Sequence, residues 1–131
     1  MNDKLLIRSY RDLLIWQKSM AMVTEIYRLS RSFPKEEIYG LTAQIRRAAV
    51  SIPSNIAEGF GRYSKTDYVR FLQIAAGSLF ELQTQLEISR NLGFVEERLF
   101  NKFLAQTREL ERMLGSLIVK LKRFTKPSAD V

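Results

Sequence analysis

The chain contains no cysteine and no histidine. That excludes disulfides, zinc sites built on thiolate or imidazole, cysteine nucleophiles, and every dyad or triad that uses histidine as its base. Carboxylate, lysine, tyrosine and serine remain, and none of them stands in a catalytic pattern. The expectation is a non-enzymatic protein with no cofactor and no metal. Long hydrophobic runs are also missing: nothing approaches the roughly 20 apolar residues of a membrane span. The start, "MNDKLLIRSYRD", has neither the apolar core nor the cleavage site of a signal peptide, so a cytoplasmic protein is expected. Proline and glycine are scarce, at three and six in 131 residues, and little punctuates the chain. Acid is in short supply as well. Against 21 lysines and arginines stand 14 carboxylates, for a net charge of +7 and a pI near 9.9. Such a balance in a small domain points to a polyanionic partner, nucleic acid first. It also suits a plain soluble protein from a basic proteome, because net charge says nothing about fold.

What is present is apolar residue at helical spacing. At 46% of the chain, hydrophobic residues suffice for one domain, residues 1–131, with a real core. A first helix is predicted from about Tyr10 to Ser32. Leu13, Trp16, Met20, Val23 and Tyr27 form one stripe, with Ile15, Met22, Ile26 and Leu29 beside it. Pro34 closes that helix. A second spans about Glu36 to Gly61 on Ile38, Leu41, Ile45, Ala48 and Ile52. A third spans about Lys65 to Leu92, with Ser64 and Asp67 at capping-box spacing, Gly93 as its C-terminal cap, and Phe94 folding back on Ile88. A fourth runs from about Glu96 to Arg123 on Leu99, Phe103, Leu110, Met113, Leu117 and Leu121, and residues 124–131 form a tail. Four long helices with short turns predict an all-α, up-down-up-down four-helix bundle. Several helices carry two apolar stripes where a lone bundle needs one. The surplus fits either a subunit contact or a generously apolar monomer.

Alternating helices collect charge at one pole. Arg8, Arg11, Arg62, Lys65, Arg70, Lys120, Lys122, Arg123 and Lys126 gather there, with Asp3, Asp12, Glu58 and Asp67 as the nearby acids. Cations at the end of the fourth helix offset its dipole, by about 0.3–1 kcal/mol each. That does not account for Arg8, Arg11, Lys65 and Arg70 at helix starts, where the dipole opposes them. The basic pole is therefore the candidate nucleic-acid site. Tyr63, between Arg62 and Lys65, is placed either to stack on a base or simply to pack. The opposite pole mixes Arg31, Lys35, Arg90, Arg98 and Lys102 with Glu36, Glu37, Glu87, Glu96 and Glu97, close to neutral.

The stretch "RRAAVSIPSNIAEGFGR" raises a separate question. Pro53 inside a helix deprives the Ala49 carbonyl of its donor, at about 3 kcal/mol unless something relieves it, and Ser51 and Ser54 are candidates to do so. Its many small residues let another helix or another chain approach closely, while Val50, Ile52, Ile56 and Phe60 anchor it. Glu58 shares a face with Arg47 and Arg62. Either Glu58 and arginine form an exposed ion pair of about 0.3–0.5 kcal/mol, or they fix register in a subunit contact with Ser51, Pro53 and Ser54.

"YRDLLIWQKSMAMVTEIY", "LTAQIRRAAVSIPSNIAEGFGR" and "FLQIAAGSLFELQTQLEISRNLGF" together resemble the four-helix-bundle family of 23S ribosomal RNA intervening-sequence proteins. The resemblance covers Tyr10 to Phe94 strongly and the fourth helix by pattern. It implies a homopentameric barrel around a central channel, in a family of which many members have no established activity. A related branch is similar to the accessory variability determinant of diversity-generating retroelements, a basic pentamer that binds nucleic acid and partners a reverse transcriptase. A ring would point every copy of the basic pole the same way. The resulting expectation is a non-enzymatic homo-oligomer that binds RNA or DNA backbone with little sequence reading, as an accessory to a reverse transcriptase in that branch. The alternative is a protein-interaction scaffold whose basic rim docks an acidic partner. An enzyme built on Glu58, Glu81 and a metal is disfavoured, since no Glu-x-x-His spacing occurs.

Overall fold

The computed structural model describes residues 6–125, and Lys126 of the expected basic pole lies outside them. Four helices account for most of these residues: α1 (Leu14–Ser30), α2 (Leu41–Phe60), α3 (Lys65–Asn91) and α4 (Glu97–Thr125). Among the described residues there is no strand. Each helix packs on its neighbours in sequence, and α1 meets α4 to close a four-helix bundle. The α2–α3 seam is the most intimate and the α1–α4 seam the loosest.

Two helix starts differ from expectation. The first helix begins at Leu14, because Tyr10–Asp12 form a separate 3-10 turn and Leu13 is extended. The reason is local. Ser9 Oγ accepts the Arg11 N–H at 2.9 Å, while Asp12 Oδ2 accepts the N–H groups of Arg8 and Ser9 at 2.9 and 3.1 Å. That reciprocal box closes the turn early. The second helix begins at Leu41, after a 3-10 turn at Lys35–Glu37. Glu37 Oε1 reaches forward to accept the Leu41 N–H at 3.0 Å, so it caps α2 from upstream. A Cβ on Gly40 would stand 2.9 Å from that same oxygen. Ser64 caps α3 by accepting the Asp67 N–H at 3.0 Å, the one half of the expected box that is made. At the far end Gly93 takes φ +81°, with Gly93 N–H bonded to Arg90 O and Phe94 N–H to Ser89 O. This is the glycine-capped ending expected, and Phe94 lies on Phe33, ring centroids 5.5 Å apart.

The core runs through Ile26, Ile45, Ile52, Ile56, Leu72, Leu79, Leu82, Leu86, Leu110 and Leu114, all essentially closed to solvent. Burying one such side chain contributes about 1.5–3 kcal/mol. On α1 it is the second stripe, Ile15, Met22 and Ile26, that is buried. Met20 and Tyr27 of the first stripe are 42% and 39% exposed, and Val50 on α2, expected to anchor that helix to the core, is 39% exposed and lies outside the core. On α4, Phe100, Thr107 and Leu114 join the expected Phe103 and Leu110 in the interior.

The small residues of α2 are explained within the chain. A Cβ on Gly59 would fall 2.8 Å from Phe71 Cβ and 3.1 Å from Tyr68, so α3 approaches there as closely as a glycine allows. Higher up, Ser51 and Ser78 hydroxyls meet at 2.8 Å across the same seam. The Asn55 amide donates to the Ser51 carbonyl and hydroxyl at 2.8 and 2.9 Å. Helix α2 continues unbroken through the buried Pro53. Of the two serines expected to relieve that proline, Ser51 instead bonds sideways to α3 and Ser54 is exposed.

Candidate nucleic-acid interface

The basic pole is assembled by three chain segments and the end of α4. The turn before α1 packs on the end of α2, where Tyr10 shares a shallow groove with Ser54, Ala57, Glu58, Gly61 and Arg62. Leu13 and Leu14 share a second groove with Arg112, Met113, Leu117 and Lys120 of α4. Arg8 and Arg11 therefore stand on the same end of the bundle as Arg62, Tyr63 and Lys65, with Lys120, Lys122 and Arg123 on the last turns of α4. All of these are exposed.

Aromatic rings hold several of the guanidinium groups in place. The Arg62 guanidinium lies 4.5 Å from the Phe71 ring centroid, and that of Arg70 lies 5.2 Å from the same ring. The Arg11 guanidinium stands 5.5 Å from both Tyr10 and Trp16, whose rings meet edge to face. Each such contact is worth about 0.5–1 kcal/mol at an exposed site and restricts the arginine to one region of surface. Sequence reasoning missed these platforms. Phe71 directly follows Arg70, but only the fold brings Arg62 to its other side.

The pole is partly neutralised. Arg62 pairs with Glu58 at 2.8 Å and Arg70 with Asp67 at 3.8 Å. Asp12 is engaged by backbone, and the N–H groups of Arg8 and Ser9 hold its carboxyl below the usual 3.8. Arg11, Lys120 and Arg123 have no carboxylate partner among the described residues. Tyr63 is fully exposed and packs on nothing, which leaves its ring available for stacking. Arg112, not among the expected site residues, extends the patch along α4 beside Lys120.

The residues singled out around Pro53 divide between two sides of α2. Pro53 and Ser54 line an apolar groove against α1, with Trp16, Met20, Val23 and Val50, and Glu58 stands at its polar end. Arg47 and Ser51 line a polar pocket against α3, together with Glu81. Glu58 and Glu81 thus lie in different cavities and form no joint site. Among the described residues no cluster of three or more acidic, histidine or cysteine side chains is placed to hold a metal ion, and no helix is long and apolar enough to cross a membrane.

A bundle with this seam and this pole invites comparison with known proteins. The family model of the 23S rRNA-intervening sequence protein matches residues 11–116. The chain belongs to that family. A crystal structure of a protein of unknown function from the S23 ribosomal protein family of Bacteroides thetaiotaomicron has the same fold. The two are 24% identical with a TM-score of 0.75, over 80% of this chain and 95% of that one. No functionally curated protein matches. The family match ends at residue 116, before Lys120, so the cationic end of α4 lies beyond the matched residues.

Proposed function

We propose that this protein is a homo-oligomer, a pentameric ring, that binds single-stranded RNA or DNA through its basic pole. The observation that carries this reading is the pole itself: arginines seated on aromatic rings, Lys120 and Arg123 beyond them with no carboxylate partner among the described residues, and a fully exposed tyrosine among them. Such a surface neutralises phosphates and releases counterions without reading base edges, so binding is salt-dependent and tolerant of sequence. A cyclic ring multiplies the patch by pointing every copy one way. The apolar groove between α1 and α2, ending at Ser54 and Glu58, is the contact surface this reading assigns to the neighbouring copy, with exposed Met20 and Val50 as its anchors. A cationic ring of this kind is suited to serve a nucleic-acid enzyme as an accessory, a reverse transcriptase in the retroelement branch.

The test combines affinity with mass. Replacing Lys122 and Arg123 by glutamate should weaken binding of a short single-stranded RNA by on the order of tenfold or more at low salt, with the oligomer mass unchanged by light scattering. Glu58→Ala should lower the oligomer mass at high dilution. Unchanged RNA affinity in the first variant removes the pole as the site. A ring that ignores RNA altogether hands the function to an acidic protein partner.

A further inference from the structure

Helix α3 is apolar on two sides. Leu72, Leu79, Leu82 and Leu86 are closed to solvent in the core, while Ile74, Phe80 and Ile88 are 44%, 50% and 42% exposed. At 3.6 residues per turn, these three share about a third of the helix circumference with Gly77, Glu81 and Thr84. A helix that is apolar all round is a buried helix, yet the chain itself buries α3 on its inner side only. Gly77 lies in the middle of the outward strip. Glycine inside a helix is less stable than alanine, and a Cβ at Gly77 would meet nothing within 4 Å. Packing within the chain explains Gly59 but gives no reason for Gly77, whereas close approach of a second backbone does.

The occupant follows from the pentameric ring proposed above, on which this inference rests. A ring with an odd number of copies cannot be closed by self-matching contacts, so each copy presents two unlike faces. The α1–α2 groove is one of them. We infer that the outward strip of α3 is the other, and that each copy lays α3 into the α1–α2 groove of its neighbour, with the closest approach at Gly77. Charge supports the pairing. One turn beyond Val23 and Val50 the groove is bounded by Arg46, whose guanidinium lies 4.6 Å from the Tyr27 ring centroid and donates to Ser30 Oγ at 2.8 Å. Glu58 bounds its other end, toward the basic pole. Copies in a cyclic ring stand at equal height, and the Ser51–Ser78 contact relates heights on α2 to heights on α3. At 1.5 Å per residue, Arg46 and Glu81 stand about 7.5 and 4.5 Å from that contact, both on the side away from the basic pole. Neither has an oppositely charged partner among the described residues. Glu58 of the groove and Arg70 of the strip both fall on the other side, again with opposite signs.

The experiment blocks one face at a time in the full-length protein and reads mass by light scattering at matched concentration. Gly77→Trp fills space that is open within the chain, so the variant should keep native helicity by circular dichroism while its mass falls from the oligomer to a single chain. Phe80→Glu should behave in the same way. Met20→Glu, at an exposed position in the groove, should also give a single chain. Mixed in equal amounts, Gly77→Trp and Met20→Glu should give a species of two chains and nothing larger. The first variant keeps its groove, the second keeps its α3 strip, and only that one contact can form between them. A native protein with the mass of one chain overturns the ring and this face together. A native oligomer whose mass survives both Gly77→Trp and Phe80→Glu overturns the face alone. So does a mixture of the two single-chain variants in which no two-chain species forms.

Discussion

The two ends of this bundle use the same device with different numbers of carboxylates around it. At the end away from the basic pole, the Arg90 guanidinium sits 4.2 Å from the Phe100 ring centroid and is clamped by Glu97 at 3.2 Å and Glu87 at 3.6 Å. At the basic end, Arg62 and Arg70 share Phe71 in much the same way, but among the described residues each has a single carboxylate, and Arg11 on Tyr10 and Trp16 has none. An arginine on a ring with two carboxylates is consumed by the fold, and Arg90 is accordingly the less exposed, at 27% against 40% for Arg62. An arginine on a ring without carboxylate remains a cation presented to whatever arrives. Acid placement, more than the number of basic residues, separates the end whose arginine is held by the fold from the end proposed to bind nucleic acid.

The largest effect should come from setting the two ends against each other. Replacing Arg11 and Lys120 by glutamate should lower affinity for single-stranded RNA by on the order of tenfold or more at low salt. The same charge change at Arg98 and Lys102 should alter it by less than about twofold. Equal losses from both ends, read by fluorescence anisotropy, would abolish the distinction. A smaller effect is expected on stability. Arg90→Ala should destabilise the fold by about 1–3 kcal/mol, since it removes charged hydrogen bonds and the cover of Phe100. Arg62→Ala should cost less than about 1 kcal/mol, as befits an exposed pair. Chemical denaturation of the two variants decides whether that order holds. The smallest effect is a dependence on acid. The Asp12 carboxyl is held below its usual 3.8 by the N–H groups of Arg8 and Ser9. Its contribution to the turn is therefore present above about that value and is lost as pH falls through the lowered one. Protection of the Arg8 and Ser9 amides, measured as exchange relative to the intrinsic rate at each pH, should be lost on acidification in the native protein and be absent at every pH in Asp12→Ala.

Much of this architecture was legible in the chain because helices announce themselves by period. The three-four spacing of Ile45, Ala48 and Ile52, or of Leu72, Ala75, Leu79, Leu82 and Leu86, survives into the core unchanged. Gly93 was readable for the same kind of reason: a glycine after a long apolar series marks the left-handed residue that ends a helix. Boundaries were harder. Asp12 and Glu37 are both acids that end a short turn by binding backbone nearby, and a periodic pattern runs straight past them. The choice between the two stripes of α1 could not be read locally either. Leu13, Trp16 and Met20 repeat as well as Ile15, Met22 and Ile26, and only the position of α2 and α4 decides which faces inward. The candidate site was legible as a sum of charge and illegible as geometry. That Arg62 and Arg70 share one ring, or that Arg47 and Glu81 line one pocket, depends on residues far apart in the chain.

The reading of the basic pole is tested most directly by the salt dependence of RNA binding. The association constant for a short single-stranded RNA would be measured between about 50 and 200 mM salt, with the mass of the complex followed by light scattering. A steep fall with salt, shallower in Lys122→Glu/Arg123→Glu, together with a multi-subunit mass at every point, is the predicted result. An affinity indifferent to salt, or a slope that the two substitutions leave untouched, would contradict it.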